Sequence, residues 1–120
     1  MTGEELGRRS LEVDAAYCAA AATVTLLARR PLARVLALPT STVAVPALGT
    51  YVWVGLLARL ARRPSWRSPV AAVAAANLGA AAVLLGLAAK RRQGRILLAA
   101  TALEVTAFAC SQLVALRRPT

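Results

Sequence analysis

Four long apolar stretches alternate along the chain with five short clusters of cations. The clusters are Arg8 and Arg9; Arg29, Arg30 and Arg34; Arg59, Arg62, Arg63 and Arg67; Lys90, Arg91, Arg92 and Arg95; and Arg117 and Arg118. Between them lie 19, 24, 22 and 21 residues without a Lys or Arg. A helix rising about 1.5 Å per residue needs roughly 20 residues to cross about 30 Å of hydrocarbon, so each interval has the length of one span. The pattern predicts an all-α integral membrane bundle, one domain over residues 1–120, with transmembrane helices over about 11–28, 40–60, 70–89 and 96–116. A soluble four-helix bundle would need a polar stripe on every helix. The third stretch, VAAVAAANLGAAAVLLGLAA, offers only Asn77 and has no face fit for water.

Local signals place the ends. Ser10 reads as the N-cap of the first helix, with Glu12 and Asp14 in its first turns where carboxylates suit the helix dipole. Residues 32–38 read as a short basic-apolar link, and Pro39-Thr40-Ser41-Thr42 as the next helix start, with Pro46 inside that helix. Ser68-Pro69 reads as the N-cap and first residue of the third helix. Trp66, in the turn before it, is expected to anchor at the membrane interface. The short link over 90–95, broken by Gly94, makes the third and fourth helices antiparallel neighbours. The opening MTGEELGRRSLEVD lacks a basic start before an apolar core, which argues against a cleaved signal peptide.

Composition agrees with the pattern: 58% of the 120 residues are hydrophobic and the mean hydropathy is +0.59, too apolar for a soluble domain this small. The net charge of +10 changes the picture only through its placement. The cations flank the spans and no aromatic residues are interleaved with them, so they fit anionic lipid headgroups rather than nucleic acid. With both termini on one side, that side carries eight cations and the other seven, a near balance that leaves a slight preference for cytoplasmic termini in a cell membrane. Heavy use of Arg and Ala reads as coding bias and carries no functional weight here.

The polar residues within the spans are the candidate site. Glu104 lies near the middle of the fourth helix, where a charge costs on the order of 2.5 to 3.5 kcal/mol to insert and requires a partner or a proton. Thr101, Glu104, Phe108, Ser111 and Gln112 share one stripe about 100° wide, and Asn77 on the neighbouring helix is the natural partner of Glu104. Asp14 lies near the surface, level with Ser111 and Gln112, as an entrance to Glu104 or as a dipole-compensating acid. Tyr51 and Trp53 line a pocket with Phe108, or pack as core. Cys18 and Cys110 read as small packing residues, and Ala75 with Gly79 and Ala82 with Gly86 offer faces for close helix approach. The chain has no His, so imidazole ligation of zinc or haem and His-based catalytic triads are excluded; no cofactor or metal is expected.

In size and helix count the chain is similar to the small multidrug-resistance transporters, whose four spans carry one membrane acid. Theirs lies in the first helix, whereas Glu104 lies in the fourth, and no family is assigned on that likeness. Three readings follow. The leading one is a small transport or ligand-binding bundle with a protonatable glutamate, working as a homo-oligomer or with a partner membrane subunit. The second is a membrane enzyme acting on a lipophilic, isoprenoid-like substrate, with Glu104 or Asp14 as general acid. The third is a structural or accessory subunit whose polar residues join helices.

Overall fold

The computed structural model describes all 120 residues and contains five helices and no strand: α1 (Gly3–Leu27), α2 (Arg29–Leu36), α3 (Thr40–Ala61), α4 (Arg67–Lys90) and α5 (Arg95–Arg117). Helices α1, α3, α4 and α5 are each long and apolar enough to cross a membrane. The bundle is 46 Å long, close to the roughly 40 to 45 Å of a bilayer with its headgroups. Its outer surface stays apolar, with Leu27 80%, Val52 77% and Leu103 72% exposed. Only lipid suits such a surface, and the chain is a multi-pass membrane protein.

The helices associate as two pairs. Helix α1 packs along α3, and α4 along α5; the pairs meet mainly where α1 crosses α5, while α3 and α4 barely touch. Lipid tails are as apolar as leucine, so close packing rather than hydrophobicity must hold such seams. Alanine supplies it: Ala74, Ala81 and Ala88 of α4 and Ala102 and Ala109 of α5 are buried, both sets at a spacing of seven. That spacing keeps one narrow strip of each helix on its neighbour. The faces of Gly79 and Gly86 instead point outward, where an added Cβ would meet nothing.

Most of the large buried side chains gather near the end that holds both termini. Leu11, Leu57, Trp66, Val70 and Val73 form the core there with Ala15, Ala61 and Ala115. The termini meet at the same end, where the Gly3 amide donates to the Pro119 carbonyl at 2.7 Å. Gly3 and Gly7 are the glycines this contact needs. A Cβ on Gly3 would stand 2.6 Å from the Ala115 carbonyl oxygen, and one on Gly7 2.9 Å from the Trp66 ring.

Several local expectations are corrected. Helix α1 begins at Gly3, two turns before the predicted start, because Thr2 caps it: the Thr2 hydroxyl accepts from the Glu5 amide and the Glu5 carboxylate accepts from the Thr2 amide. Ser10 is therefore interior and buried rather than a cap. The expected link over 32–38 is mostly helix α2, which ends at Ala37 in the left-handed region (φ 54). Trp66 is not an interfacial anchor but a buried core residue, seated on Gly7 and Val70 with the Arg67 guanidinium 4.7 Å above its ring. Helix α4 starts at Arg67 without a side-chain cap, so Ser68 lies inside it. Neither signal of an earlier start to α1 was apolar, which is why the hydropathy pattern missed those two turns.

The tight fit predicts that Gly7→Leu destabilises the bundle by about 1 to 3 kcal/mol through overpacking against Trp66, whereas Gly79→Ala, at an open position, is neutral. Unfolding in mixed micelles, followed by circular dichroism as sodium dodecyl sulfate is raised, measures both.

Candidate functional site

Starting α1 at Gly3 moves Asp14 from the first turn to mid-helix, and it is only 2% exposed. Asp14 then faces the junction of α1, α4 and α5. Its Oδ2 accepts from Asn77 Nδ2 at 2.9 Å and from Gln112 Nε2 at 3.1 Å. Its Oδ1 accepts from the Cys18 thiol, one turn along α1, at 3.4 Å. Asn77 Nδ2 donates a second bond to Gln112 Oε1 at 3.1 Å, closing a triangle of side chains from three helices. Asn77 and Gln112 are buried as well, and no buried polar side-chain atom lacks a partner.

Asp14 accepts every hydrogen bond it makes, two from side-chain amides and one from a thiol. No cation accompanies it, since the one ion pair of the chain joins Arg8 to Glu4 at 2.9 Å. Its partners are amide and thiol donors alone. A proton on Asp14 would turn an acceptor into a donor, so Asn77 or Gln112 would have to present its oxygen, or a bond would be lost.

The same seam continues on both sides. The Ser111 hydroxyl donates to the Phe108 carbonyl, which leaves Ser10 as the donor in the 2.8 Å Ser10–Ser111 bond. On the other side of Asp14, the Tyr17 and Phe108 rings lie 5.3 Å apart at 51°. Counted from Arg9 on α1 or Arg117 on α5, the carboxylate lies roughly 8 Å inside the nearest cations at the usual helical rise. It stands nearer the terminal end of the bundle than the other.

Of the residues expected at the site, the structure brings together Asp14, Asn77 and Gln112, with Ser111 beside them. Glu104 and Thr101 stand apart. Glu104 is exposed on the flank of α5 without a hydrogen-bond partner, and the Thr101 hydroxyl bonds back to the Leu97 carbonyl of its own helix. Tyr51 donates to or accepts from Thr23 at 2.6 Å across the α1–α3 seam, and Trp53 packs against the core. Two surface cavities, of about 410 and 230 Å³, lie at the α2–α3 and α3–α4 links, and neither is lined by Tyr51, Trp53 or Phe108. Cys18 was missed as a participant. Its signal was present: Ser10, Asp14 and Cys18 recur every four residues and make a polar stripe on α1.

No family model, curated protein or solved structure matches the chain.

If the triangle is one unit, the effects of Asn77→Ala and Gln112→Ala on stability are not additive, with a coupling of about 0.5 to 1.5 kcal/mol. The pair Asn77→Ala and Glu104→Ala, on residues that do not meet, gives additive losses in the same mixed-micelle unfolding.

Proposed function

We propose that the protein is a small proton-linked transport bundle in which Asp14 is the exchange site. The observation that carries this reading is the Asp14 carboxylate itself: buried in a membrane span, held by three donors and matched by no cation. Ionisable groups in that setting mark proton or ion sites as a rule, because a purely structural polar contact needs no charge. Asp14 also sits where the two helix pairs meet, so a change in its bonds acts on the contact between them. The buried acid lies in the first helix, the position at which the small multidrug-resistance transporters carry theirs.

A cargo exchanging with the Asp14 proton would carry positive charge on an apolar body, to suit a lone carboxylate among apolar helices. Four helices enclose little volume, and a homodimer supplies more. Glu104 supports that assembly. It stands on the lipid-facing side of α5 near mid-span, where an uncovered charge is costly, and every cation of the chain lies in the flanking clusters. The adjoining exposed positions Ala100, Leu103, Ala107, Cys110 and Val114 alternate by three and four, the spacing of a helix–helix seam. A second copy meeting α5 along this face would cover both glutamates and let them share a proton.

Infrared difference spectra recorded as pH is changed test the exchange site without knowledge of the cargo. Wild type should show a carboxylic-acid band that Asp14→Asn removes and Glu104→Gln retains; a wild type without that band overturns the proposal. In vesicles loaded with a pH-sensitive dye, external tetraphenylphosphonium should drive protons outward with wild type and not with Asp14→Asn. The dimer has its own check: mild oxidation in membranes should trap a disulfide-linked pair through exposed Cys110, and Cys110→Ser should abolish it. If only monomer is recovered, α5 is not the seam.

A further inference from the structure

The end of the bundle away from the termini carries seven cations, Arg29, Arg30, Arg34, Lys90, Arg91, Arg92 and Arg95, and no acid within the clusters that hold them. Three of these arginines are already occupied. Arg29 donates to the Leu26 carbonyl at 2.7 Å, Arg95 to the Ala88 carbonyl at 2.8 Å, and Arg91 to the Leu36 carbonyl. Each satisfies a carbonyl near a helix C-terminus, where such groups have no partner in their own helix. Arg30 and Arg34 differ. Neither guanidinium is spent on a carbonyl or a carboxylate, they lie one turn apart on α2, and both line the cavity of about 410 Å³ between α2 and α3.

The remainder of that cavity is Ala33, Ala37, Leu38, Pro39 and Thr40. It therefore combines two free guanidinium groups and a threonine hydroxyl with a small apolar wall. Helix α2 is placed to keep it at the membrane surface. Ala33 is buried and Leu32 and Leu36 half-buried against the bundle, while Arg30 and Arg34 are exposed. Leu36 is fixed from the other side as well, because it lies where a side chain on Gly94 would be, and Gly94 also takes a positive φ of 72°. Leucine and valine side chains at the adjoining helix ends, Leu27 of α1 and Val45 and Leu48 of α3, are exposed.

We propose that this cavity is a binding site for the phosphodiester headgroup of an anionic phospholipid. Arg30 and Arg34 take the phosphate oxygens, for which planar guanidinium donors are well matched, and Thr40 adds a hydroxyl. The acyl chains lie in the surrounding bilayer against the exposed leucine and valine side chains. The membrane position and apolar wall favour a lipid over free phosphate, which would gain nothing from them. The proposal depends on the multi-pass fold and not on the role of Asp14, which lies toward the other end.

Native mass spectrometry of the purified full chain tests it, with dioleoylphosphatidylglycerol as the probe and dioleoylphosphatidylcholine and glycerol 3-phosphate as comparisons. Wild type should retain one phosphatidylglycerol in preference to phosphatidylcholine and should not retain glycerol 3-phosphate. At roughly a factor of five for each basic residue at a membrane surface, Arg30→Gln with Arg34→Gln should weaken that first binding event about 30-fold. Arg62→Gln with Arg63→Gln removes the same charge from the other end and should leave it within about twofold. Equal losses from the two double variants would show diffuse attraction and overturn the site. Retention of glycerol 3-phosphate as tightly as the lipid would overturn the headgroup assignment. All four substituted arginines are exposed, and unchanged helicity by circular dichroism confirms that each variant is folded.

Discussion

The contact on which this bundle depends is the triangle that Asp14 makes with Asn77 and Gln112. Helix α1 is the one helix that packs against all the others, and its contact with α5 is the main joint between two otherwise separate pairs. In lipid, the apolar surfaces of those pairs have no strong reason to prefer one another over acyl chains. Three hydrogen-bonded polar side chains do have one. Each would otherwise stand unsatisfied in hydrocarbon, so their pairing sets the depth at which α1 crosses α4 and α5 as well as the fact of contact. The Ser10–Ser111 bond and the Tyr17–Phe108 contact follow once that register is fixed.

A second constraint operates at the helix ends, where the last carbonyls have no amide to receive. Arginine meets it at both ends of the bundle. Besides the three at the α2 end, Arg8 donates to the carbonyls of Ala61 and Pro64 and Arg67 to that of Leu116, tying α1 to α3 and α4 to α5. The arginine content, which read as coding bias, thus has a structural use that lysine would serve less well, since the forked guanidinium reaches two acceptors at once. The arginines left over after this use, Arg30 and Arg34 among them, are the ones free to meet something outside the protein.

Apart from the start of α1, the spans were legible in the sequence to within a few residues because their limits are set by charge, and charge is read directly. What packs against what was not. In helices as rich in alanine as α4, buried Ala74 and exposed Ala75 are the same residue type, so periodicity carries no information about which face is inside. The site shows the same limit from another side. Asn77 and Gln112 were correctly placed among the inward polar residues, but their partner was taken to be Glu104 on the strength of its depth in the fourth span. The depth of Asp14 depended on where α1 begins, and that was decided by Thr2 and Glu5, a capping box lying outside the apolar interval. One cap misread by two turns changed which of the two acids is read as buried among the helices.

The distribution of packing also limits where any motion can occur. Around the termini, Leu11, Leu57, Trp66, Val70 and Val73 interlock and the two chain ends are hydrogen-bonded. Toward the α2 end the buried side chains are almost all alanine, with Val43 the largest, and they present less contact area per turn. Asp14 lies at the boundary between these regions. If its bonds rearrange when a proton arrives, the interlocked end resists separation and the alanine seams beyond it yield more readily. At the α2 end, Leu36 packs on Gly94 and its carbonyl accepts from Arg91, so α2 ties the α1–α3 pair to the turn between α4 and α5.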